Sequence, residues 1–237
     1  MISAVHDRHA EESAPEALRA VAASGGWGWL RLRRPSGPTA AFGRLDTLAP
    51  GYPRAAAAAE AHGFVPVVRA VGGRLAGYHQ GALVLDIAAR NAEPRRQITE
   101  RFVQIGRAIA DGLARLGLDA RVGPVPGEYC AGKFSVNVGG RVKVAGTAQR
   151  MTAHALLFSA VVLVQDAGPV RAMLSETYPL LGLDWDPRTL GCVSDSLPGV
   201  TTMDVGDVLL GELARALSLG AGDGEDFPLE RCWEVPI

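Results

Sequence analysis

Two residues in the middle of the chain, Cys130 and Lys143, are of types that could act as a nucleophile and as a cation that holds an anionic or carbonyl oxygen. Cys130 stands in GEYCAG, a glycine-rich stretch preceded by prolines, which predicts a loop rather than an apolar face. Lys143 lies on the second arm of KFSVNVGGRVKVAG, whose alternation across a Gly-Gly pair predicts a β-hairpin. A nearby cation favours the thiolate form of a cysteine, and the thiolate is the nucleophile.

Each of these residues also has an ordinary interpretation. Free cysteines are commonly buried and inert, and this interpretation suits Cys192 and Cys232 well. For Cys130 the residues alone leave a nucleophile and an incidental thiol about evenly matched. Most lysines are solvated, but Lys143 is followed by the small residues of VAGTAQ, so it could reach into a pocket and hold an anionic or carbonyl oxygen.

The bulk composition excludes several classes of protein. A net charge of −1 argues against a nucleic-acid partner bound by phosphate neutralisation. The sequence has no apolar run long enough to cross a membrane and no secretion signal, so we expect no membrane partner and a cytoplasmic location. The 3 cysteines form neither a disulfide framework nor a paired metal motif, and the histidines do not cluster, so no metal is expected.

The pattern of apolar residues predicts a single α+β domain around a mostly antiparallel sheet. Residues 1–11 are expected to form a flexible arm, and residues 12–237 to form the domain. Glycines in GGRLAGYHQG predict a loop, and the tail from Gly220 is predicted to be loose. Helices are predicted over 12–24, 51–63, 96–117, 169–182 and 201–218, with strands in the apolar, β-branched segments between them.

Two motifs resemble those of the biotin/lipoate protein ligase and octanoyltransferase superfamily. VVRAVGGRLAGYHQGALVLDI resembles its arginine, glycine-pair and histidine motif, and GGRVKVAGTAQR resembles the motif that holds its catalytic lysine. Together with FGR, which resembles an early strand motif, the resemblance covers about residues 25–215. It implies the α+β fold of the lipoate-protein ligase A-like catalytic domain, in which a large mixed, mostly antiparallel sheet is flanked by helices. It also implies attachment of octanoyl, lipoyl or biotinyl groups to a carrier-domain lysine.

The resemblance also implies roles for particular residues. Lys143 would hold the acyl carbonyl, while Gly146 and Thr147 would let the substrate approach closely. The acyl or adenylate pocket would be lined by Arg69, Gly72, Gly73 and His79. The acyl tail needs an apolar tunnel, which we expect near Val68, Leu83, Leu85 and Val161.

Within the superfamily, EYCAGKFSV followed by KVAGTAQR looks most like the cysteine-dependent octanoyl and lipoyl-relay transferases. In that case Cys130 would carry the acyl group as a thioester, and no cofactor would be required. The partner would be a lipoyl-domain or glycine-cleavage H-type carrier protein, with acyl carrier protein as a possible donor. One alternative is an ATP-dependent lipoate-protein ligase that uses ATP and Mg to form lipoyl-AMP. A second alternative is a non-catalytic acyl-binding homologue.

Overall fold

Strands and helices alternate irregularly along the part of the chain that the computed structural model describes, residues 18–19, 23, 28–91, 95–218 and 229–232. The predicted arm over residues 1–11 lies outside this part, as does most of the helix predicted over 12–24. The described strands are β1 Gly28–Arg33, β2 Thr39–Phe42, β3 Val65–Val68, β4 Ala76–Tyr78, β5 Ala82–Arg90, β6 Ala120–Val122, β7 Val136–Val138, β8 Val142–Met151, β9 Ala155–Leu163 and β10 Leu229–Cys232. The described α-helices are α1 Tyr52–Ala61, α2 Ile98–Arg115, α3 Gly168–Leu180 and α4 Thr202–Ser218.

Helix α2 shows how the sequence dictates local structure here. Ile105, Ile109 and Leu113 recur at helical spacing and are buried, so they form one apolar stripe against the sheet. The helix is followed by Gly117 at φ 93°, a left-handed conformation that favours glycine. Among the described helices, none is long and apolar enough to span a membrane.

The large sheet has seven strands in the order β10-β1-β5-β9-β8-β7-β6. All neighbouring pairs are antiparallel except β1 and β10, which run parallel. The predicted hairpin is formed by β7 and β8, and its turn contains Gly139 and Gly140, both at positive φ. The predicted α+β class with a large, mostly antiparallel mixed sheet and flanking helices is confirmed.

Two predictions about local structure were wrong. The loop predicted over GGRLAGYHQG contains β4, which pairs with β2 and, together with β3, forms a second sheet in the order β3-β2-β4. Gly77 lies in this strand. Because it has no side chain, Met173 and Val170 of α3 can pack closely against it. The tail predicted to be loose contains β10, which extends the large sheet along β1.

The large sheet carries a different structure on each of its faces. Leu83 and Leu85 of β5 point into the core formed with α2 and α4. Val84 belongs to the second core, which includes residues of the small sheet, α1 and α3. Since side chains alternate along a strand, one strand supplies a closed core on one side and the wall of a pocket on the other.

Candidate active site

Cys130 lies in the loop between β6 and β7, in a backbone conformation that few residues adopt. Its φ of 43° is in the left-handed region, which is unfavourable for a residue with a Cβ. The backbone N–H of Cys130 donates to the hydroxyl of Tyr178 at 2.8 Å, and that hydroxyl donates to the carbonyl of Leu75 at 2.8 Å. Helix α3 therefore fixes the cysteine backbone. Strained conformations of this kind cluster at functional sites.

The sulfur of Cys130 accepts two N–H groups. The backbone nitrogen of Arg74 lies 3.2 Å from Sγ, and Nη2 of Arg69 lies 3.3 Å from it. Burial acts to raise the pKa of the Cys130 thiol. The charges of Arg69 and Lys143 and the two hydrogen bonds outweigh this effect and lower the pKa below its ordinary value. The site therefore favours the thiolate.

Lys143 faces the same pocket because the hairpin contains an irregularity. The register shifts between Val136 and Asn137, so Val144 of β8 is left without a partner across the hairpin. With strict alternation, residues 143 and 146 would lie on opposite faces of the sheet. The extra residue re-aims the strand, and both Lys143 and Gly146 line the pocket.

The ammonium group of Lys143 is held against the backbone of the cysteine loop. Nζ donates to the carbonyl oxygens of Tyr129 at 3.0 Å and Cys130 at 3.1 Å, and it lies 4.5 Å from the centre of the Tyr129 ring. Burial lowers the pKa of Lys143, while the negative charges of Cys130 and Glu128 oppose that shift without cancelling it. The amine and the thiol are thus parts of one electrostatic unit.

The carboxylate of Glu128 is the counter-ion of Lys143 at this site. Its Oε2 lies 3.7 Å from Nζ of Lys143, and its Oε1 accepts the Gly132 N–H and the Ser135 hydroxyl, each at 2.8 Å. The carboxylate is buried, and Oε2 has no hydrogen-bond partner within the described part of the chain. Removing one member of a buried ion pair leaves an uncompensated charge. Lys143 and Glu128 therefore depend on each other and together fix the cysteine loop.

Cys130 and Lys143 line a pocket that encloses about 600 Å³ of space free of protein atoms, counting the part open to solvent. Arg69, Gly146 and Thr147, for which the resemblance implies roles at the site, also line it. A Cβ added to Gly146 would lie 3.4 Å from Cε of Lys143, so the glycine leaves room beside the lysine side chain. Residues of both sheets supply the apolar wall, including Ala41, Ala76, Tyr78, Val84, Ala148 and Val161.

Of the two glycines before β4, Gly73 lies beside the Cys130 thiol and Gly72 lies apart from it. Gly73 has a φ of 99°, and a Cβ at this position would press against the Arg69 guanidinium and lie 3.0 Å from Sγ of Cys130. Only a glycine lets the chain pass this close to the sulfur. Neither glycine lines the pocket, and among the described residues the only neighbour that a Cβ added to Gly72 would meet is the Gln149 carbonyl at 3.8 Å.

His79 does not line the pocket either. Its Nε2 lies 2.8 Å from the carbonyl oxygen of Asp166, and its Nδ1 accepts the backbone N–H of Gly81 at 2.9 Å. The ring therefore stabilises the turn between β4 and β5, which differs from the substrate-binding role implied by the resemblance. Within the described ranges, no group of three or more His, Cys, Asp or Glu residues is arranged to hold a metal ion.

The tunnel residues expected from the sequence are only partly those that the structure uses. Val161 lines the pocket, but Leu83 and Leu85 are buried in the core on the opposite face of the sheet. Val84 takes their place, because the alternation of β5 points the even-numbered residues toward the pocket. Val68 is an exposed residue at the end of β3.

Several residues of the site carry no signal in the sequence. Glu128 and Tyr129 precede Cys130 in the sequence, and a carboxylate two residues before a candidate nucleophile could have drawn attention to Glu128. Arg74 contributes its backbone N–H, and Tyr178 comes from a helix distant in sequence. Contributions of this kind depend on tertiary contacts rather than on a local pattern.

Comparison with solved structures places the fold among the lipoate-protein ligases. The bipartite lipoate protein ligase of Thermoplasma acidophilum, studied with its lipoyl domain, superposes with a TM-score of 0.69 at 20% identity, covering 95% of this chain and 82% of that chain. A Thermoplasma acidophilum protein with bound lipoic acid gives a TM-score of 0.67 at 20% identity over 95% of this chain and 84% of that one. A lipoate-protein ligase A bound with ATP gives a TM-score of 0.64 at 20% identity, covering 89% of this chain and 78% of that one.

A curated relative in sequence is the octanoyl-[GcvH]:protein N-octanoyltransferase of Geobacillus kaustophilus. It is 26% identical over 162 residues, which is 68% of this chain and 56% of that protein, so the chain spans about half the length of this relative. The lipoyl protein ligase A/B catalytic domain matches residues 18–178. This match includes the cysteine loop, the lysine hairpin and the arginine that contacts the sulfur. The chain belongs to the lipoyl protein ligase A/B catalytic domain family.

Proposed function

We propose that this protein is an acyltransferase that moves an octanoyl or lipoyl group onto a carrier-domain lysine through a thioester on Cys130. One observation carries the proposal: Cys130 and Lys143 line the same apolar-walled pocket, and the Cys130 sulfur accepts N–H groups from Arg74 and Arg69. A lowered thiol pKa at the edge of an apolar pocket suits nucleophilic attack on an acyl carbonyl.

The reaction would proceed in two steps, acylation of Cys130 and transfer of the acyl group to the acceptor lysine. In the first, the Cys130 thiolate attacks the carbonyl carbon of a donor thioester, and the donor thiolate leaves. In the second, the amine of the acceptor lysine attacks the Cys130 thioester, loses a proton and forms an amide, and the Cys130 thiolate departs. A thioester is already activated, so neither step consumes ATP.

Lys143 would stabilise the oxygen that becomes negative in each step. A protonated lysine has three N–H donors, and two of them are directed at the carbonyl oxygens of Tyr129 and Cys130. The third would donate to the acyl oxygen when a substrate is bound. Fixed donors aimed at a developing oxyanion in a pocket shielded from water supply a large part of catalysis.

The apolar wall would hold the acyl tail. Each buried methylene contributes about 0.8 kcal/mol, so an eight-carbon chain gains several kcal/mol from this pocket. We infer a lipoyl-domain or glycine-cleavage H-type carrier protein as partner, because the curated relative is named for octanoyl-[GcvH]. Acyl carrier protein is a candidate donor. We place the reaction in the cytoplasm, where a free thiol stays reduced.

The direct test is to incubate the protein with octanoyl-acyl carrier protein and to measure its intact mass. We expect an octanoyl adduct that hydroxylamine removes, that Cys130→Ser abolishes and that Cys192→Ser retains. Absence of an adduct on the unsubstituted protein would contradict the proposal.

The same proteins discriminate the alternative functions. Formation of lipoyl-AMP from lipoate, ATP and Mg, unaffected by Cys130→Ser, would indicate an ATP-dependent lipoate-protein ligase instead. A protein that binds acyl groups but transfers none, with or without ATP, would indicate a non-catalytic homologue. Under our proposal Lys143→Ala loses transfer, which a purely binding role does not predict.

A further inference from the structure

The acyl pocket is not apolar along its whole length. Asp86 of β5 and Ser159 of β9 line it together with the aliphatic residues. The Ser159 hydroxyl donates to Oδ1 of Asp86 at 2.6 Å, and Nη2 of Arg31 donates to Oδ2 at 3.1 Å. A charged, hydrogen-bonded group therefore forms part of the wall of a pocket that would otherwise suit a hydrocarbon chain.

The register of the large sheet shows where this polar wall lies. Gly146, Val161 and Val84 form one row across β8, β9 and β5. Two residues along each strand, Ser159 and Asp86 form the next row on the same face. The polar row is therefore one step further from Lys143 than the row of Gly146.

The step matches the length of a medium acyl chain. From Gly146, beside the Lys143 ammonium, the α-carbon of Ser159 is one strand spacing across and two residues along, or about 8 Å away. An extended chain advances about 1.2 Å per bond, the rise of an extended residue divided over its three bonds. The seven bonds of an octanoyl chain thus reach about 8 Å from the carbonyl carbon.

A purely alkyl tail would gain nothing from this row. Placing a methyl group against a carboxylate removes water from the charge without replacing its hydrogen bonds, which is unfavourable. The Asp86 carboxylate has about four acceptor sites, of which Ser159 occupies one on Oδ1 and Arg31 one on Oδ2, while Nε of Arg33 lies 4.0 Å from Oδ2. Acceptor capacity therefore remains at the depth that the end of the chain reaches.

We propose that the pocket selects an acyl group of about eight carbons that carries a hydrogen-bond donor, a hydroxyl or a thiol, near its far end. The donor would bond to the Asp86 carboxylate, beside Ser159. This inference rests on the proposed function, since it names the substrate class of the same pocket. The thiols of a reduced lipoyl group belong to this class, whereas the saturated end of an octanoyl group does not.

The test compares two thioester donors of one small thiol, 8-hydroxyoctanoyl and octanoyl, by the rate of adduct formation on Cys130. We expect at least about a tenfold preference for the hydroxylated chain, as a hydrogen bond to a charged acceptor provides. In Asp86→Asn the ratio of the two rates should fall toward 1, because the charged acceptor is gone. Ser159→Ala removes a donor that competes for this carboxylate and should not lower the ratio. Ser175→Ala, on the exposed side of α3, is the matched control and should keep the ratio.

A second measurement separates this inference from the proposed function. Calorimetry measures binding of the two free acids, 8-hydroxyoctanoate and octanoate, to the Cys130→Ser protein, in which no thioester can form on that residue. Tighter binding of the hydroxylated acid, weakened by Asp86→Asn, supports the inference even if no adduct forms on the unsubstituted protein. Equal binding, binding of neither acid, or a preference for octanoate overturns it, even if both thioesters acylate Cys130.

Discussion

Cys130 and Cys192 are the same residue type in two contrasting environments. Cys192 is 1% exposed, belongs to an apolar core cluster, and has its sulfur 3.3 Å from the Ser194 hydroxyl. Cys130 lies in a left-handed loop conformation at a pocket, and its sulfur accepts N–H groups from Arg74 and Arg69. Apolar packing and one hydroxyl surround the Cys192 thiol, while positive charge and N–H donors surround the Cys130 thiol.

This contrast shows that the setting of a thiol, rather than its presence, determines its reactivity. At Cys130, the backbone N–H of Arg74 and the guanidinium of Arg69 contact the sulfur, and Lys143 of the hairpin donates to the carbonyl oxygen of the same residue. Cys192 instead uses its backbone N–H to cap a short helical turn, donating to Asp195 at 2.9 Å. A core cysteine of this kind contributes packing, and its thiol has no assigned chemistry.

The largest difference should appear in alkylation of the native protein by iodoacetamide. We expect Cys130 to react at least about 1,000-fold faster than Cys192 at neutral pH, because a core side chain is reached only through an opening that costs several kcal/mol. Peptide mass spectrometry measures the two rates in one sample. Comparable rates at the two positions would contradict the contrast.

The next largest effect should be the loss of acyl transfer when the Lys143 ammonium is removed. Lys143→Met removes the proposed oxyanion donor and should slow acyl transfer by about 100-fold. The Cys130 pKa should also rise, because a positive charge that lowers it is gone. Lys133→Met, at an exposed position near the same loop, is the matched control.

Because Lys143→Met leaves Glu128 buried without its counter-ion, the variant could lose activity by unfolding. The double variant Glu128→Gln/Lys143→Met removes both charges and should recover thermal stability. If transfer recovers together with stability, Lys143 has only a structural role. If stability recovers alone, the ammonium acts in the chemistry.

Much of the fold was predictable from local patterns, because its longer elements follow one period. The 3.6-residue period of α2 and the period-two hairpin around Gly139 both appear in the structure. The three-residue strand β4 was not predictable, since pairing with β2 depends on a partner distant in sequence. The sequence also could not show which residues of β5 face the pocket, because a strand that is buried on both faces lacks an alternation of apolar and polar residues.

The site was predictable where motifs carry it and not where tertiary contacts do. Cys130, Lys143, Arg69 and Gly73 were all named from the sequence, and the structure brings them together. The bulge in the hairpin register that turns Lys143 toward the pocket is invisible in the sequence, because a strand written in order shows no irregular pairing.

A smaller effect should follow from weakening the charge beside the sulfur. Arg69→Gln removes a positive charge within 3.3 Å of Sγ, so the Cys130 pKa should rise. The thiolate limb of the alkylation rate would move to higher pH, and alkylation on that limb would slow. Arg44→Gln, at an exposed position after β2, should leave the profile in place. An unshifted profile for Arg69→Gln would mean that the backbone N–H and Lys143 suffice.

The smallest effect should be a difference in the free energy of unfolding between variants that remove a hydroxyl near Cys130 and near Cys192. Tyr178→Phe deprives the Cys130 N–H and the Leu75 carbonyl of their partner and should lower the free energy of unfolding by about 1 kcal/mol. Ser194→Ala removes only the hydroxyl beside the Cys192 sulfur, and thiols bond weakly, so it should cost less. Urea midpoints measure both variants. The reverse order would mean that the core cysteine, rather than the pocket cysteine, depends on its polar neighbour.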